Sequence, residues 1–90
     1  MEKKGIYIIE EAFARHKGED ATISISHKLY GEQKIKLKLD CIFDEKRIGF
    51  RASSGQEIFI YRDEIVNYGT KDGIYFADEL MEINIKLHGQ

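Results

Sequence analysis

Four lysines stand at positions from which they could bind an anion together. They are Lys28, Lys34, Lys36 and Lys38. Residues two apart in a β-strand point to the same side of the sheet, so the last three share one face wherever this segment is extended. Clustered ammonium groups neutralise phosphate or carboxylate groups. The spacing therefore predicts an anion-binding face, to which we add Arg51.

The pairing of this segment decides how strong that signal is. Alternation of apolar and polar residues predicts a hairpin of residues 22–29 with residues 34–43, turning at residues 31–33 with Tyr30 opposite Lys34. In such a register Lys28 lies opposite one of the other lysines, and like charges in that position are destabilising. A chain that tolerates them could use the face for an anion. The alternative is that the lysines only keep the outer face hydrated and discourage edge-to-edge pairing.

A second candidate combines aromatic and cationic groups. Phe59 and Tyr61 point away from Ile58 and Ile60 in a strand that is apolar on both sides, and Arg62 follows directly. Aromatic rings beside cations can stack single-stranded bases. Such rings are also typical of hydrophobic cores and subunit interfaces. We therefore expect Phe59, Tyr61 and Arg62 to form either a stacking surface or an interface.

Catalytic patterns are weak. The histidines His16, His27 and His88 are too scattered to form a metal pair on one element, and the glycines form no phosphate-binding loop. The single cysteine, Cys41, alternates with Leu39 and Phe43 on the apolar side of its strand, which predicts a small buried hydrophobic residue. We predict a protein that is not an enzyme and has neither metal nor cofactor.

The elements that position these residues are mostly strands. The first hairpin places eight residues inside: Ile23, Ile25, Leu29, Ile35, Leu37, Leu39, Cys41 and Phe43. A second hairpin matches Phe43 with Ile48 and Cys41 with Phe50, which sets Asp40 opposite Arg51. Further strands are predicted at residues 57–61, 74–77 and 80–87. The fold class is a mainly antiparallel all-β barrel or sandwich of seven to eight short strands.

The N-terminal segment is ambiguous. Helical spacing of Ile9, Ala12, Phe13 and His16, with Gly18 as the terminating residue, predicts a short helix over residues 9–17. Residues 5–9 are instead β-prone by composition. We expect an extended lead-in followed by about two helical turns.

Composition indicates one soluble domain of 90 residues, and the chain shows neither a signal peptide nor a membrane-spanning stretch, so we expect a cytoplasmic protein. The formal net charge is −2, which provides no bulk attraction to nucleic acid. The charges are nevertheless segregated, with a net charge of +3 over residues 21–51 and −3 over residues 62–90. The two halves complement each other.

The order of elements from Ile8 to Tyr68 resembles an Sm-type barrel, a family that includes the bacterial Sm-like RNA chaperone. A helix-like segment precedes residues 21–29, the long run 35–43, a turn at Asp44, and three further strands. Tyr61-Arg62-Asp63 stands where the bacterial members carry Tyr-Lys-His, and residues 70–90 have no counterpart. The resemblance implies strongly bent strands, ring assembly and RNA binding.

The leading hypothesis is a non-enzymatic binding or assembly module that forms a homo-oligomer through the Phe59/Tyr61 strand or through its complementary halves. One alternative is an Sm-like or other single-stranded RNA-binding barrel. Another is a small-molecule-binding protein whose site is assembled from residues distant in the sequence.

Overall fold

A computed structural model describes residues 7–88. In that part of the chain one helix, α1 (Tyr7–His16), precedes eight strands, and a 3-10 helix (Arg62–Glu64) lies between the fifth and the sixth. The strands are β1 (Asp20–His27), β2 (Gly31–Lys38), β3 (Cys41–Phe43), β4 (Arg47–Arg51), β5 (Glu57–Tyr61), β6 (Asn67–Gly69), β7 (Ile74–Ala77) and β8 (Met81–Leu87). The predicted all-β class with a short N-terminal helix is confirmed.

The strands form two antiparallel sheets. The large sheet has the order β2-β1-β8-β7-β6, and the small sheet has the order β3-β4-β5. Among residues 7–88, strand β2 pairs only with β1 and β5 pairs only with β4, so in that part of the chain each sheet has an unpaired edge. Strand β8 lies between β1 and β7. The residues beyond Tyr68, which the Sm-type resemblance leaves out, therefore contribute the central strand of the large sheet.

One hydrophobic cluster joins both sheets and the helix. Ile23, Phe76 and Ile83 come from the large sheet, and Phe50 comes from the small sheet. Phe13 from α1 lies between them and contacts the Phe76 ring edge-on at 6.0 Å between ring centroids. All five side chains are fully buried. Burial of such side chains is the main favourable term for folding.

Helix α1 forms because its apolar residues fall on one face. Ile9, Ala12 and Phe13 are buried, and the helix stops before Gly18, whose φ of +84° favours glycine. The Gly18 N–H donates to the Leu39 carbonyl. The extended lead-in predicted for residues 5–9 is wrong for Tyr7, Ile8 and Ile9, which are helical, because packing of the helical face outweighs their β propensity. Gly5 and Ile6 lie outside the described residues.

The first hairpin turns three residues earlier than predicted. Ile23 pairs with Ile35, and the turn consists of residues 28–30 rather than 31–33. The parity argument holds, since odd residues still face odd residues, but the register differs by six positions. The Leu29 N–H donates to Nδ1 of His27, and the Lys28 N–H donates to the Leu80 carbonyl. Leu29, predicted inside, is consequently 71% exposed.

The predicted long strand 35–43 is broken. Strand β2 ends at Lys38, and the chain crosses to the small sheet through Leu39 and Asp40 before β3 begins at Cys41. The crossing changes which residues are buried, so Ile42 is buried while Phe43, predicted inside, is 42% exposed. The Phe43 ring stacks parallel to that of Phe13, at 6.3 Å between centroids.

The remaining strand predictions are confirmed in register or in phase. Phe43 pairs with Ile48, and Cys41 pairs with Phe50. In β8 the odd residues face the core and the even residues face outward, as the alternation predicts. The outward residues of β8 are Glu82, Asn84 and Lys86. They complete the surface described next.

Candidate anion-binding face

The outer face of the large sheet is built around the small side chains of β1. Thr22 pairs with Lys36 of β2 on one side and with Lys86 of β8 on the other. In the next row along the strand, Ser24 pairs with Lys34 and with Asn84. We call Thr22, Ser24, Lys34, Lys36 and Lys86 the lysine face. Because the Thr22 and Ser24 side chains are short, the surface of β1 forms a shallow groove between the longer lysine side chains on either side.

The geometry of the lysine face suits an anion larger than a single small ion. Lys36 and Lys86 are separated by one intervening strand, so their backbones lie about 10 Å apart. Lys34 and Lys36 are two residues apart on one strand, a spacing of roughly 7 Å. Across the described residues 7–88, none of the three lysines makes an ion pair, and Thr22 Oγ1 shares a hydrogen bond with Nε2 of His88.

The same sheet face becomes acidic toward the hairpin turn. In the row after Ser24, Ser26 lies between Glu32 and Glu82. Lys28 lies beyond that acidic row, in the turn, about 20 Å along β1 from Thr22. The expected opposition of Lys28 to another lysine is therefore wrong, because the turn lies three residues earlier than predicted and contains Lys28. Lys28 takes no part in the lysine face.

Two other predicted cations are already neutralised. Lys38 Nζ donates to Asp20 Oδ1 at 3.1 Å. Arg51 contacts the Asp40 carboxylate at 3.3 Å and the Glu57 carboxylate at 3.0 Å, on the small sheet. These hydrogen bonds, first to Glu57 and then to Asp40, raise the pKa of the Arg51 guanidinium above its usual value. The predicted Asp40–Arg51 contact is present, and it makes Arg51 a structural cation.

The predicted aromatic surface is also occupied. The Phe59 and Tyr61 rings meet edge-to-face at 5.4 Å, and the Arg47 guanidinium lies over the Phe59 ring at 5.0 Å. Arg62 donates from Nε to the Asp44 carbonyl at 2.6 Å and forms an ion pair with Glu10 of α1. Phe59 thus has a cation on its ring, and Arg62 joins the helix to the small sheet. Tyr61 is half exposed.

A cleft of about 600 Å³ adjoins the lysine face where β7 and β8 meet the β6–β7 turn. Tyr75 pairs with Asn84 on one side and with Gly69 on the other, so its ring projects on the outer face. Lys71 and Lys86 also line the cleft. Sequence patterns alone do not bring Tyr75 and Lys86 to the lysine face, because that proximity depends on the pairing of β1 with β8 across about sixty residues of sequence.

A larger cleft has the opposite charge. It lies between the 3-10 helix and the β7–β8 turn, with a volume of about 740 Å³, and its carboxylates belong to Asp63, Glu64, Asp78 and Glu79. This region repels anions. Among residues 7–88, no group of three or more His, Cys, Asp or Glu side chains is arranged to hold a metal ion.

Cys41 is half-buried against the core, as its apolar phase predicts. Its thiol lies 3.9 Å from the Phe13 carbonyl. Burial, with a smaller contribution from the Asp40 carboxylate, raises the pKa of the Cys41 thiol to about 12. At neutral pH the sulfur is therefore a protonated thiol and a poor nucleophile.

Comparisons with protein-family models, with curated proteins and with solved structures found no match for this chain. No helix in the described part of the chain is long and apolar enough to cross a membrane.

Proposed function

We propose that this protein is a non-enzymatic binding module that holds a phosphate-bearing polyanion on the lysine face. The observation that supports it is the convergence of Lys34, Lys36 and Lys86, from two different strands, around the hydroxyl groups of Thr22 and Ser24. Ammonium groups supply charge, and hydroxyl groups supply hydrogen bonds to phosphate oxygens.

The pairing of four other cations supports this assignment. Arg47, Arg51 and Arg62 each contact at least one carboxylate, and Lys38 contacts Asp20. The three lysines of the face have no such partner among the described residues, so an anion there would not have to displace an internal ion pair. Edge protection explains lysines on β2, but it does not explain Lys86, which lies on an interior strand.

The overall charge of −2 does not argue against local binding. The acidic groups nearest the face, Glu32 and Glu82, lie in the row after Ser24, on the side away from Thr22. The row of Thr22, Lys36 and Lys86 lies about 13 Å along the strands from that acidic row, farther than the roughly 8 Å over which exposed charges interact at physiological ionic strength. Lys34, one row nearer, lies within that distance.

The test is a binding titration with fluorescently labelled inorganic polyphosphate at several salt concentrations. Three phosphate contacts predict a slope of log K against log salt of about −2, by the rule for flexible single strands. The double variant Lys36→Glu/Lys86→Glu should flatten that slope by about 0.7 for each lysine lost. A circular dichroism melt checks that the variant remains folded.

The matched control is Lys46→Glu. Lys46 is an exposed lysine in the β3–β4 turn of the small sheet, and its replacement changes the net charge by the same amount per site. We expect Lys46→Glu to leave the affinity within about twofold, because Lys46 belongs to the other sheet and lies outside the lysine face. Equal effects of Lys46→Glu and of either single substitution in the lysine face would contradict the proposal.

The homo-oligomer, the Sm-like ring and the small-molecule carrier stay predictions. Native mass spectrometry of the purified protein reports subunit number and bound ligand in one measurement. The cytoplasmic location likewise stays a prediction.

A further inference from the structure

We infer that the ligand class of the lysine face is single-stranded nucleic acid, with one base stacked on Tyr75 in the adjoining cleft. This inference rests on the proposed function, since the lysine face would hold the phosphates. It adds a separate element, a base-binding position that a phosphate chain alone does not need.

The first observation is the state of the Tyr75 ring. Tyr75 is half-buried at the centre of the row Ser24–Asn84–Tyr75–Gly69 on the outer face. Within residues 7–88 its ring has no aromatic partner and its hydroxyl makes no hydrogen bond. Phe59 and Tyr61, in contrast, contact each other. An unoccupied aromatic face beside cations is the arrangement that stacks single-stranded bases.

The second observation is the room beside that ring. Gly69 follows Tyr75 in the row and adds no side chain, and the cleft there measures about 600 Å³. The β6–β7 turn is held close to β8 by Gly73, whose φ is +129° and where a Cβ atom would lie 2.2 Å from the Ile85 carbonyl oxygen. Gly73 therefore allows the turn to lie close to β8, and the absence of a side chain at Gly69 leaves room beside the Tyr75 ring.

The third observation is the set of polar groups around the ring. The Asn84 amide and the Ser24 hydroxyl line the cleft, and neither side chain has a hydrogen-bond partner in the described chain. An amide offers two donor hydrogens and one acceptor oxygen in a plane, which matches the edge of a base. Asn84 pairs directly with Tyr75, so its amide lies beside the stacking position.

The fourth observation is where phosphates would lie. Lys86 lines the cleft and belongs to the lysine face, and Lys71 lines the cleft from the β6–β7 turn. Asp72 lines it as well and would repel a phosphate from that part of the turn. A strand with one base on Tyr75 would therefore run its backbone across Lys86 toward Thr22 and Lys36. A double helix does not fit this arrangement, because its bases are not available for stacking.

The experiment compares two fluorescein-labelled strands of about twelve residues, an oligothymidylate and an abasic deoxyribose-phosphate strand with the same number of phosphates. Wild-type protein should bind the oligothymidylate about tenfold more tightly than the abasic strand. Tyr75→Leu should remove that preference and leave the affinity for the abasic strand unchanged. Tyr75→Phe, which keeps the ring, should retain the preference within about twofold.

Asn84→Ala provides a second test that does not alter the ring, should Tyr75→Leu lower the melting temperature. It should reduce oligothymidylate binding about threefold to fivefold and spare the abasic strand. Equal binding of the two strands by wild-type protein would overturn the base-binding inference and leave the proposed anion-binding function standing. Failure of both strands and of inorganic polyphosphate to bind would overturn both.

Discussion

Lys36 and Lys86 lie on opposite sides of Thr22, each paired with it in register, although fifty positions separate the two lysines in the sequence. The arrangement exists because β8, the last strand, inserts between β1 and β7. A cationic surface is thus assembled from both halves of the chain. Lys86 comes from the half whose net charge is negative.

The first prediction distinguishes free lysines from paired ones. Lys86→Gln should weaken polyphosphate binding by about threefold to tenfold at low salt, and Lys38→Gln should weaken it by less than twofold, because Lys38 already pairs with Asp20. The two variants remove the same charge from the same sheet. Titration of both under one buffer condition gives the comparison, and a larger loss for Lys38→Gln contradicts it.

The second prediction concerns the packing of the small sheet. A Cβ atom at Gly49 would lie 2.1 Å from the Ile58 carbonyl oxygen and 2.5 Å from the Phe59 Cα atom, so Gly49→Ala must displace strand β5. We expect a loss of about 2–4 kcal/mol in the free energy of unfolding. Urea denaturation followed by circular dichroism measures it.

Gly69→Ala is the control for that substitution. Gly69 is also a strand glycine, but nothing lies within 4 Å of a Cβ atom built there. Its replacement should change the stability by less than about 1 kcal/mol. Equal stability of the two alanine variants would contradict the close approach of β4 and β5 at Gly49.

The third prediction tests the link between helix and small sheet. Arg62 contacts both the Glu10 carboxylate of α1 and the Asp44 carbonyl of the β3–β4 turn. Arg62→Met should cost about 1–3 kcal/mol, and Glu10→Gln should cost less, since it removes one contact only. A double-mutant cycle should give a coupling of about 1 kcal/mol. Additive effects would show that the pair does not stabilise the fold.

The fourth prediction follows from the raised pKa of the Cys41 thiol. At pH 8 the thiolate fraction should be roughly 100- to 1,000-fold lower in the folded protein than in the unfolded chain, because the pKa rises from 9.0 to about 12. Iodoacetamide should therefore alkylate Cys41 in the native protein more slowly than in urea by a similar factor. Equal rates would contradict the burial.

The same shift sets the sign of a pH effect on stability. A thiol whose pKa is raised on folding binds its proton more tightly in the native state, so its contribution is fully present below pH 9 and is lost as the pH rises toward 12. Comparison with Cys41→Ala isolates this contribution. The alanine variant should lose less stability than the wild type between these pH values.

Local patterns predicted a large part of this fold. The alternation in β8 predicts Ile83 and Ile85 inside and Lys86 outside, as the structure has them. The predicted register of the second hairpin agrees with the structure at every residue pair. The errors arose where chain direction depends on distant contacts. The sequence near Leu39 contains no signal that the chain leaves one sheet for the other. The crossing is held by contacts with residues about twenty positions away: the Leu39 N–H donates to the Glu19 carbonyl, and the Gly18 N–H donates to the Leu39 carbonyl.

The candidate site shows the same limit. Alternation correctly predicts that Lys34 and Lys36 share one face. Which other residues join that face depends on the strand that pairs with the second edge of β1, and this strand is β8. Strand order is a long-range property, and no local signal specified it. The prediction for Lys28 is wrong because the alternation of apolar and polar residues continues through Lys28 and Leu29, although strand β1 ends at His27.

The location of anion binding is the most direct test of the account. Backbone amide NMR spectra of the uniformly labelled protein should be recorded with increasing inorganic polyphosphate, against a sodium chloride titration of equal ionic strength. We predict specific shifts at Thr22, Ser24, Lys34, Lys36 and Lys86, with small changes in the small sheet. Shifts confined to Lys46 and Arg47, or none beyond those caused by salt, would contradict the lysine face as the binding site.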